Sequence, residues 1–149
     1  MNRPKLRAEG IIFNDDKTKI LVQCDLEESF YRLPGGSIEF GETSVSAINR
    51  EFLEEFELVP NISELACVNE SIIKVNGKQI HQCTLIHWGS ITEEKIIDQL
   101  IHKEHPEIKL IWRTNEQLQL KPLYPEGILD IIVSDKNDIS HLLIEKSYD

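Results

Sequence analysis

The 23 residues from Gly36 to Leu58, GSIEFGETSVSAINREFLEEFEL, limit the fold more tightly than any other part of the chain. Val45, Ile48, Phe52 and Phe56 recur at steps of three, four and four, which is one face of a helix turning about 100° per residue. Thr43 supplies a hydroxyl ahead of the first apolar repeat and is the expected N-cap. Pro60 stops the helix, because the residue before a proline is driven out of the α region. Leu33-Pro34-Gly35-Gly36 forms a tight turn in front, where glycine lets the backbone approach its neighbours closely. On the helical wheel Glu51, Glu54 and Glu55 fall together, roughly opposite the apolar stripe. Ala47 lies one turn before Glu51 on that acidic side, where its small side chain leaves room.

Residues three and four apart are neighbours on a helix, so these three carboxylates repel one another. Arg50 reaches Glu54 at i+4, but one guanidinium does not neutralise three acids. A hard divalent cation does, since Mg²⁺ takes oxygen ligands and only a few of them from protein. The plain alternative is a solvated acidic helix face, the usual fate of a charge run. That alternative leaves the diglycine turn at fixed distance from the acids unexplained.

The order Gly36-x5-Glu42-x7-Arg50-Glu51-Phe52-x-Glu54-Glu55-x-Glu57-Leu58 resembles the Nudix box, G-x5-E-x7-R-E-U-x-E-E-x-G-U, with U a bulky apolar residue. Eight of the nine defined positions match, and Leu33-Pro34-Gly35 fits the usual entry to the box. The ninth departs, with Glu57 where the family has glycine. A glycine there supplies a left-handed helix exit, so either Glu57 is strained or the helix ends differently. The resemblance implies one α/β domain over residues 1–149, a Nudix-type α/β/α sandwich with a mixed β-sheet. It implies hydrolysis, with Mg²⁺ or Mn²⁺, of the pyrophosphate bond in a nucleoside diphosphate linked to another moiety. Metal ligands are then Glu51, Glu54 and Glu55 with a backbone carbonyl at Gly35 or Gly36, of which Gly36 is carried forward. Arg50 orients the acids, and Glu42 takes either an outer position or one on a second metal. The family also places a catalytic carboxylate in a loop ahead of a later strand. Here that is Glu104, with Glu107 behind it and Glu93 or Glu94 further off. The general base is either Glu54 or Glu104.

A chain of 149 residues suits one domain with a real core. The net charge of −10 argues against a nucleic-acid binder, which wants a basic stripe. Six acids and one arginine between Gly36 and Leu58 account for half of that charge. The acidity therefore still allows a small phosphorylated substrate beside a cation. Cys24, Cys67 and Cys83 are odd in number and form no CxxC pair, as in reduced thiols of a cytoplasmic protein. No apolar run reaches membrane-spanning length, and MNRPKLRAEG has no signal-peptide core, so no membrane partner is expected.

In chain order, Arg7–Phe13 and Lys19–Cys24 are strands of a hairpin turning at Asn14-Asp15-Asp16. Phe30–Leu33 is extended, and Tyr31 or Phe30 either stacks on a base or packs in the core; Tyr31 is carried as a substrate contact. Ser63–Asn69 and Glu70–Val75 are extended. Asn76-Gly77 then marks a hairpin, since both positions want positive φ. Gln79–Trp88 follows as an interior strand, with His81 and His87 on one face as candidate substrate contacts, of which His81 is carried forward. Ile91–His105 is either a helix capped at Thr92 and running through Ile96, Ile97, Leu100 and Ile101, or an open loop. Ile108–Trp112 is a strand, Asn115–Gln117 a helical turn, and Pro125 opens a helix over Glu126–Ser134. In the tail from Asp135, Leu142–Ile144 is either a docked strand or a homodimer surface. Two other function classes fit the same residues: a silent nucleotide sensor of this fold, and an interaction protein with an acidic helix.

Overall fold

The computed structural model describes residues 2–96, 98–134 and 137–148. Strands β1 (Lys5–Phe13) and β2 (Lys19–Asp25) open the chain, followed by short strands β3 (Tyr31–Arg32) and β4 (Gly35–Ser37). Helix α1 (Ser44–Phe56) leads into the long strands β5 (Asn61–Val75) and β6 (Lys78–Ser90). Then come β7 (Gln99–Ile101), β8 (Ile108–Thr114), α2 (Asn115–Leu118), β9 (Leu123–Tyr124), α3 (Ile128–Ile132) and β10 (Ser140–Tyr148). The sheet runs β10-β5-β6-β1-β2-β3-β9, with β4 added on β1, β8 on β2 and β7 on β8. It is mixed: β1 runs parallel to β6 and β10 parallel to β5, while β5–β6 and β2–β8 are antiparallel.

Strand parity sorts the core into two layers, because successive side chains leave a strand on opposite faces. Ile11, Ile20, Val22, Cys24 and Ile111 join Leu118, Ile128 and Ile132 from α2 and α3. Ala8, Ile12, Leu21, Leu110 and Trp112 join Ala47, Ile48, Phe52 and Phe56 from α1. The sheet therefore lies between α1 on one side and α2 with α3 on the other, the expected α/β/α arrangement. One opening in the sheet matters for function. β1 meets β2 at Phe13↔Ile20, then pairs with β4 at Arg7–Glu9, while β2 pairs with β8 along its whole length. The two strands diverge, and the diglycine turn and the end of α1 sit at the divergence.

The Asn76-Gly77 hairpin forms with φ of 50° and 79° at its two central residues, as expected for that dipeptide. The two extended runs before it are one strand, β5, whose pairing shifts register near Leu65 instead of breaking. The helix through Ile96, Leu100 and Ile101 does not form, and Ile97 lies outside the described residues. Glu93–Lys95 is a single 3₁₀ turn, and Gln99–Ile101 pair with Lys109–Ile111 as β7. The apolar residues have helical spacing, but Ile96 is buried in the α1-side core and its carbonyl accepts the Trp112 indole N–H at 3.2 Å. Packing on β8 overrides the local pattern. Pro125 stands ahead of α3, which is capped by Gly127 at φ 90°. The start of the tail at Asp135 also lies outside the described residues, but Leu142–Ile144 dock as part of β10, leaving Leu143 57% exposed.

Candidate active site

Helix α1 starts where its cap chemistry puts it: the Thr43 hydroxyl accepts the Ser46 backbone N–H at 3.1 Å. Ile48, Phe52 and Phe56 are buried, and Ala47 is buried with them instead of leaving space on the acidic side. The acids are graded, not uniformly opposite the core. The Glu54 side chain is 52% exposed and that of Glu51 19%, whereas Glu55 as a residue is only 8% exposed. Glu55 lies three residues after Phe52 and seven after Ile48, so the helical period carries it to the edge of the apolar stripe.

At the exit Glu57 takes the left-handed conformation, φ 57° and ψ 35°. Its N–H donates to the Leu53 carbonyl at 3.1 Å and that of Leu58 to Phe52 at 3.3 Å, closing the helix as a glycine would. The Glu57 carboxylate pairs with the Lys103 ammonium.

Gly36 lies in contact with Glu51. A Cβ at this position would overlap the Glu51 carboxyl, with Oε1 2.6 Å and Cγ 2.8 Å away. A side chain here would have to push Glu51 aside, against the hold of Arg50 Nη1 on its Oε1 at 3.0 Å. Arg50 braces the arrangement. Its Nε and Nη2 hold Glu42 in a fork at 2.7 and 3.0 Å, and Nη1 reaches Glu51 at 3.0 Å and Glu54 at 3.3 Å. Nη2 also donates to the Ser37 carbonyl at 3.0 Å, tying the helix to the glycine turn. The fork keeps the Glu42 carboxyl below its usual range and the guanidinium above its own.

Glu55 is the perturbed group of the set. Burial, and then the Glu51 carboxylate beside it, raise its pKa to about 8. Two carboxylates this close do not ionise together without a positive charge between them. His102, 5% exposed, puts Nε2 at 2.5 Å from Glu55 Oε2. Its Nδ1 accepts the backbone N–H groups of Glu104 and His105, each at 3.1 Å. An Nδ1 that accepts carries no proton, so the ring is the neutral Nε2–H tautomer and donates to Glu55. Burial and the nearby His105 also keep the His102 pKa low. The Lys103 N–H donates to the Glu55 carbonyl at 3.0 Å, so the loop carrying Glu104 is sewn to the end of α1.

Gly36, Glu51, Glu54, Glu55 and Glu104 line one open pocket of about 260 Å³, with Arg50 behind it. Arg7 and Arg32 line the same pocket, and Arg32 Nε donates to Gln23 Oε1 at 3.1 Å. Among the described residues, no three His, Cys, Asp or Glu side chains are gathered as a ready metal cage. Tyr31 and His81 are not among the residues lining this pocket. Tyr31 is 4% exposed in the core on the α3 side, its hydroxyl donating to Glu28 at 3.0 Å. Strand parity explains the exchange: in β3 it is Arg32, the next residue, that reaches the pocket. His81 sits on the β5–β6 hairpin opposite Ile72. His87, further along β6 opposite Leu65, is buried between Ser44 Oγ at 2.8 Å and the Ser63 carbonyl at 2.9 Å, a packing role. Glu93 holds Asn14 and Lys19 at 2.8 and 3.1 Å, and Glu107 lines a neighbouring cavity. Arg7, Gln23, Arg32 and His102 had no sequence signal of their own. Only the parity of β3 could have pointed to Arg32.

Relatives are consistent with this geometry. The chain is 39% identical to an RNA pyrophosphohydrolase of Ruthia magnifica over 33% of this chain and 27% of that protein. It is 35% identical to an ADP-ribose pyrophosphatase of Methanocaldococcus jannaschii over 46% of this chain and 41% of that one. The matched region thus spans less than half the length of these curated relatives. The MutT NUDIX hydrolase from Burkholderia pseudomallei superposes with TM-score 0.67 at 20% identity, over 89% of this chain and all of that one. The model of the NUDIX domain matches residues 4–130, and with its box acids, glycine turn and mixed sheet the chain belongs to this family of hydrolases.

Proposed function

We propose that the chain hydrolyses the pyrophosphate bond of a nucleoside diphosphate linked to a second moiety, in a reaction dependent on Mg²⁺ or Mn²⁺. The observation that carries this is Glu55 paired with Glu51, which itself lies against Gly36, with Arg7 and Arg32 lining the same pocket. The residues suit a hard cation. Their donors are carboxylate oxygens, and the raised pKa of Glu55 beside Glu51 is the mark of a negative pair that wants a positive charge. Glu51 and Glu55 would hold the ion, with Glu54 at the exposed edge and the Gly36 backbone alongside. When bound, such an ion neutralises charge on the phosphate oxygens and lowers the pKa of a water.

The chain's own groups supply the rest. Arg50 fixes the direction of Glu51 and Glu54 through its shared guanidinium. Arg7 and Arg32 offer planar donor forks to phosphate oxygens, for which guanidinium geometry is suited. His102 holds Glu55 by donation from Nε2 and fixes the Glu104 loop by acceptance at Nδ1. Glu54 is engaged by Arg50, while the Glu104 carboxylate has no ion-pair partner among the described residues. This favours Glu104 over Glu54 as the group that takes the proton from the attacking water.

ADP-ribose, a dinucleoside polyphosphate, a sugar nucleotide and an oxidised nucleoside triphosphate, each incubated with Mg²⁺ and scored for released products, test the proposal. It expects cleavage between two phosphorus atoms for at least one of them. Binding without cleavage across the panel would favour a silent sensor instead.

A further inference from the structure

We propose that the free edge of β10 pairs with β10 of a second copy, antiparallel and centred on Leu143, so that two sheets join into one across a two-fold axis. Strand β10 ends the sheet, and among the described residues it pairs with β5 alone. That pairing runs without a register shift from Ser140↔Cys67 to Tyr148↔Val75, which leaves a regular outer edge nine residues long. Proteins blunt such an edge with proline, a bulge or lysines, because its unpaired N–H and C=O groups are a template for another strand. SHLLIEKSY has no proline and no bulge, and its one lysine, Lys146, is taken up by Glu126. The NUDIX model matches residues 4–130, so β10 lies outside the part that the family shares.

The edge is complementary to itself, and this selects a second copy as its occupant. Backbone groups alternate sides along a strand. Tyr148 turns its carbonyl inward to the Asn76 N–H at 3.3 Å, so His141, Leu143, Glu145 and Ser147 turn their N–H and C=O groups outward. A two-fold axis at Leu143, normal to the sheet, sets Leu143 of one copy against Leu143 of the other. His141 then faces Glu145 on both sides of the axis, Leu142 faces Ile144, and Ser140 faces Lys146. Apolar meets apolar and the imidazole meets a carboxylate, the kinds of cross-strand pair that stabilise a sheet. Moving the axis by one residue sets Leu143 against Glu145 or against His141 and breaks the His141–Glu145 match. Leu143, 57% exposed in the single chain, is covered by the pairing.

The test is molar mass in solution, read by light scattering behind size exclusion over a range of protein concentrations. An edge contact of this length is small for a stable interface, so the mass should climb from one chain toward two as concentration rises. Leu143→Pro removes an outward N–H and spares the bonds to β5, and should weaken the dimer at least about tenfold. Cys24 and Cys67 are buried, so in a Cys83→Ser background Leu143→Cys puts the reactive thiols on the axis. Cα atoms in such a pair stand about 5.5 Å apart, a separation that permits a disulfide. Mild oxidation should then give a covalent dimer, a readout that holds even where the proline variant does not fold. A chain monomeric at every concentration overturns the proposal. So does a dimer that Leu143→Cys does not crosslink, or one that a folded Leu143→Pro variant leaves unchanged.

Discussion

Glu57 offers a separable test of how the chain departs from the glycine of its family. It holds φ 57° at the end of α1, a conformation that costs an L-residue roughly 1–2 kcal/mol. Glycine removes that cost but brings back about 0.5–1 kcal/mol of extra freedom in the unfolded chain. The Glu57–Lys103 ion pair joins side chains that are 69% and 48% exposed, so it contributes at most about 0.5 kcal/mol. Glu57→Gly and Glu57→Ala both lose the pair, and their difference isolates the backbone. Glu57→Gly should be more stable than Glu57→Ala by about 0.5–1 kcal/mol, or about 2–3 °C in Tm for a chain of this size. Against the unsubstituted protein, Glu57→Gly should be near neutral, because relief of strain and loss of the pair oppose each other. Urea denaturation with Tm by circular dichroism reads both quantities. An alanine variant as stable as the glycine variant would refute a strained left-handed exit.

Other outcomes follow from the same geometry. Gly36→Ala drives a methyl group into the Glu51 carboxyl and should lower kcat/KM on the order of 10²-fold, read by steady-state kinetics; near-normal activity would mean that Glu51 is free to move. His102→Asn retains an acceptor for the Glu104 and His105 N–H groups, whereas His102→Ala retains none. Turnover should therefore fall further in His102→Ala, by about tenfold relative to His102→Asn, and equal rates would deny the loop anchor. Burial lifts the Glu9 carboxyl from 4.5 to about 7 despite Arg7 beside it. The folded state then holds this proton more tightly than the unfolded chain, so the term weakens stability as pH rises from about 4.5 to 7. Glu9→Gln removes it, and should gain on the unsubstituted protein between pH 5 and pH 8 by up to about 3 kcal/mol in chemical denaturation. A gap that does not change with pH refutes the assignment.

What could be read in advance was what neighbouring residues decide among themselves. The Thr43 cap, the α1 stripe and the Asn76-Gly77 turn depend on residues a few positions apart, and each forms as expected. Glu51, Glu54, Glu55 and Gly36 were legible by spacing, and they line one pocket with Glu104. Residues 96–101 misled because Ile96 and β7 answer to β8 and Trp112, which are distant in sequence. Tyr31 and Arg32 exchange places through a one-residue parity that an isolated two-residue strand does not announce. His102 carried no periodic signal, since its importance arises only where the loop meets the end of α1.

The central claim is that the Glu51–Glu55 pair works through a divalent cation. The most direct measurement is the rate of pyrophosphate cleavage against Mg²⁺ concentration, with and without excess EDTA, for the unsubstituted protein and Glu55→Gln. The account predicts no turnover in EDTA, restoration by Mg²⁺, and for Glu55→Gln both a lower maximal rate and a higher Mg²⁺ concentration at half-maximum. Turnover undiminished in EDTA, or a Glu55→Gln variant with an unshifted Mg²⁺ dependence, would contradict it.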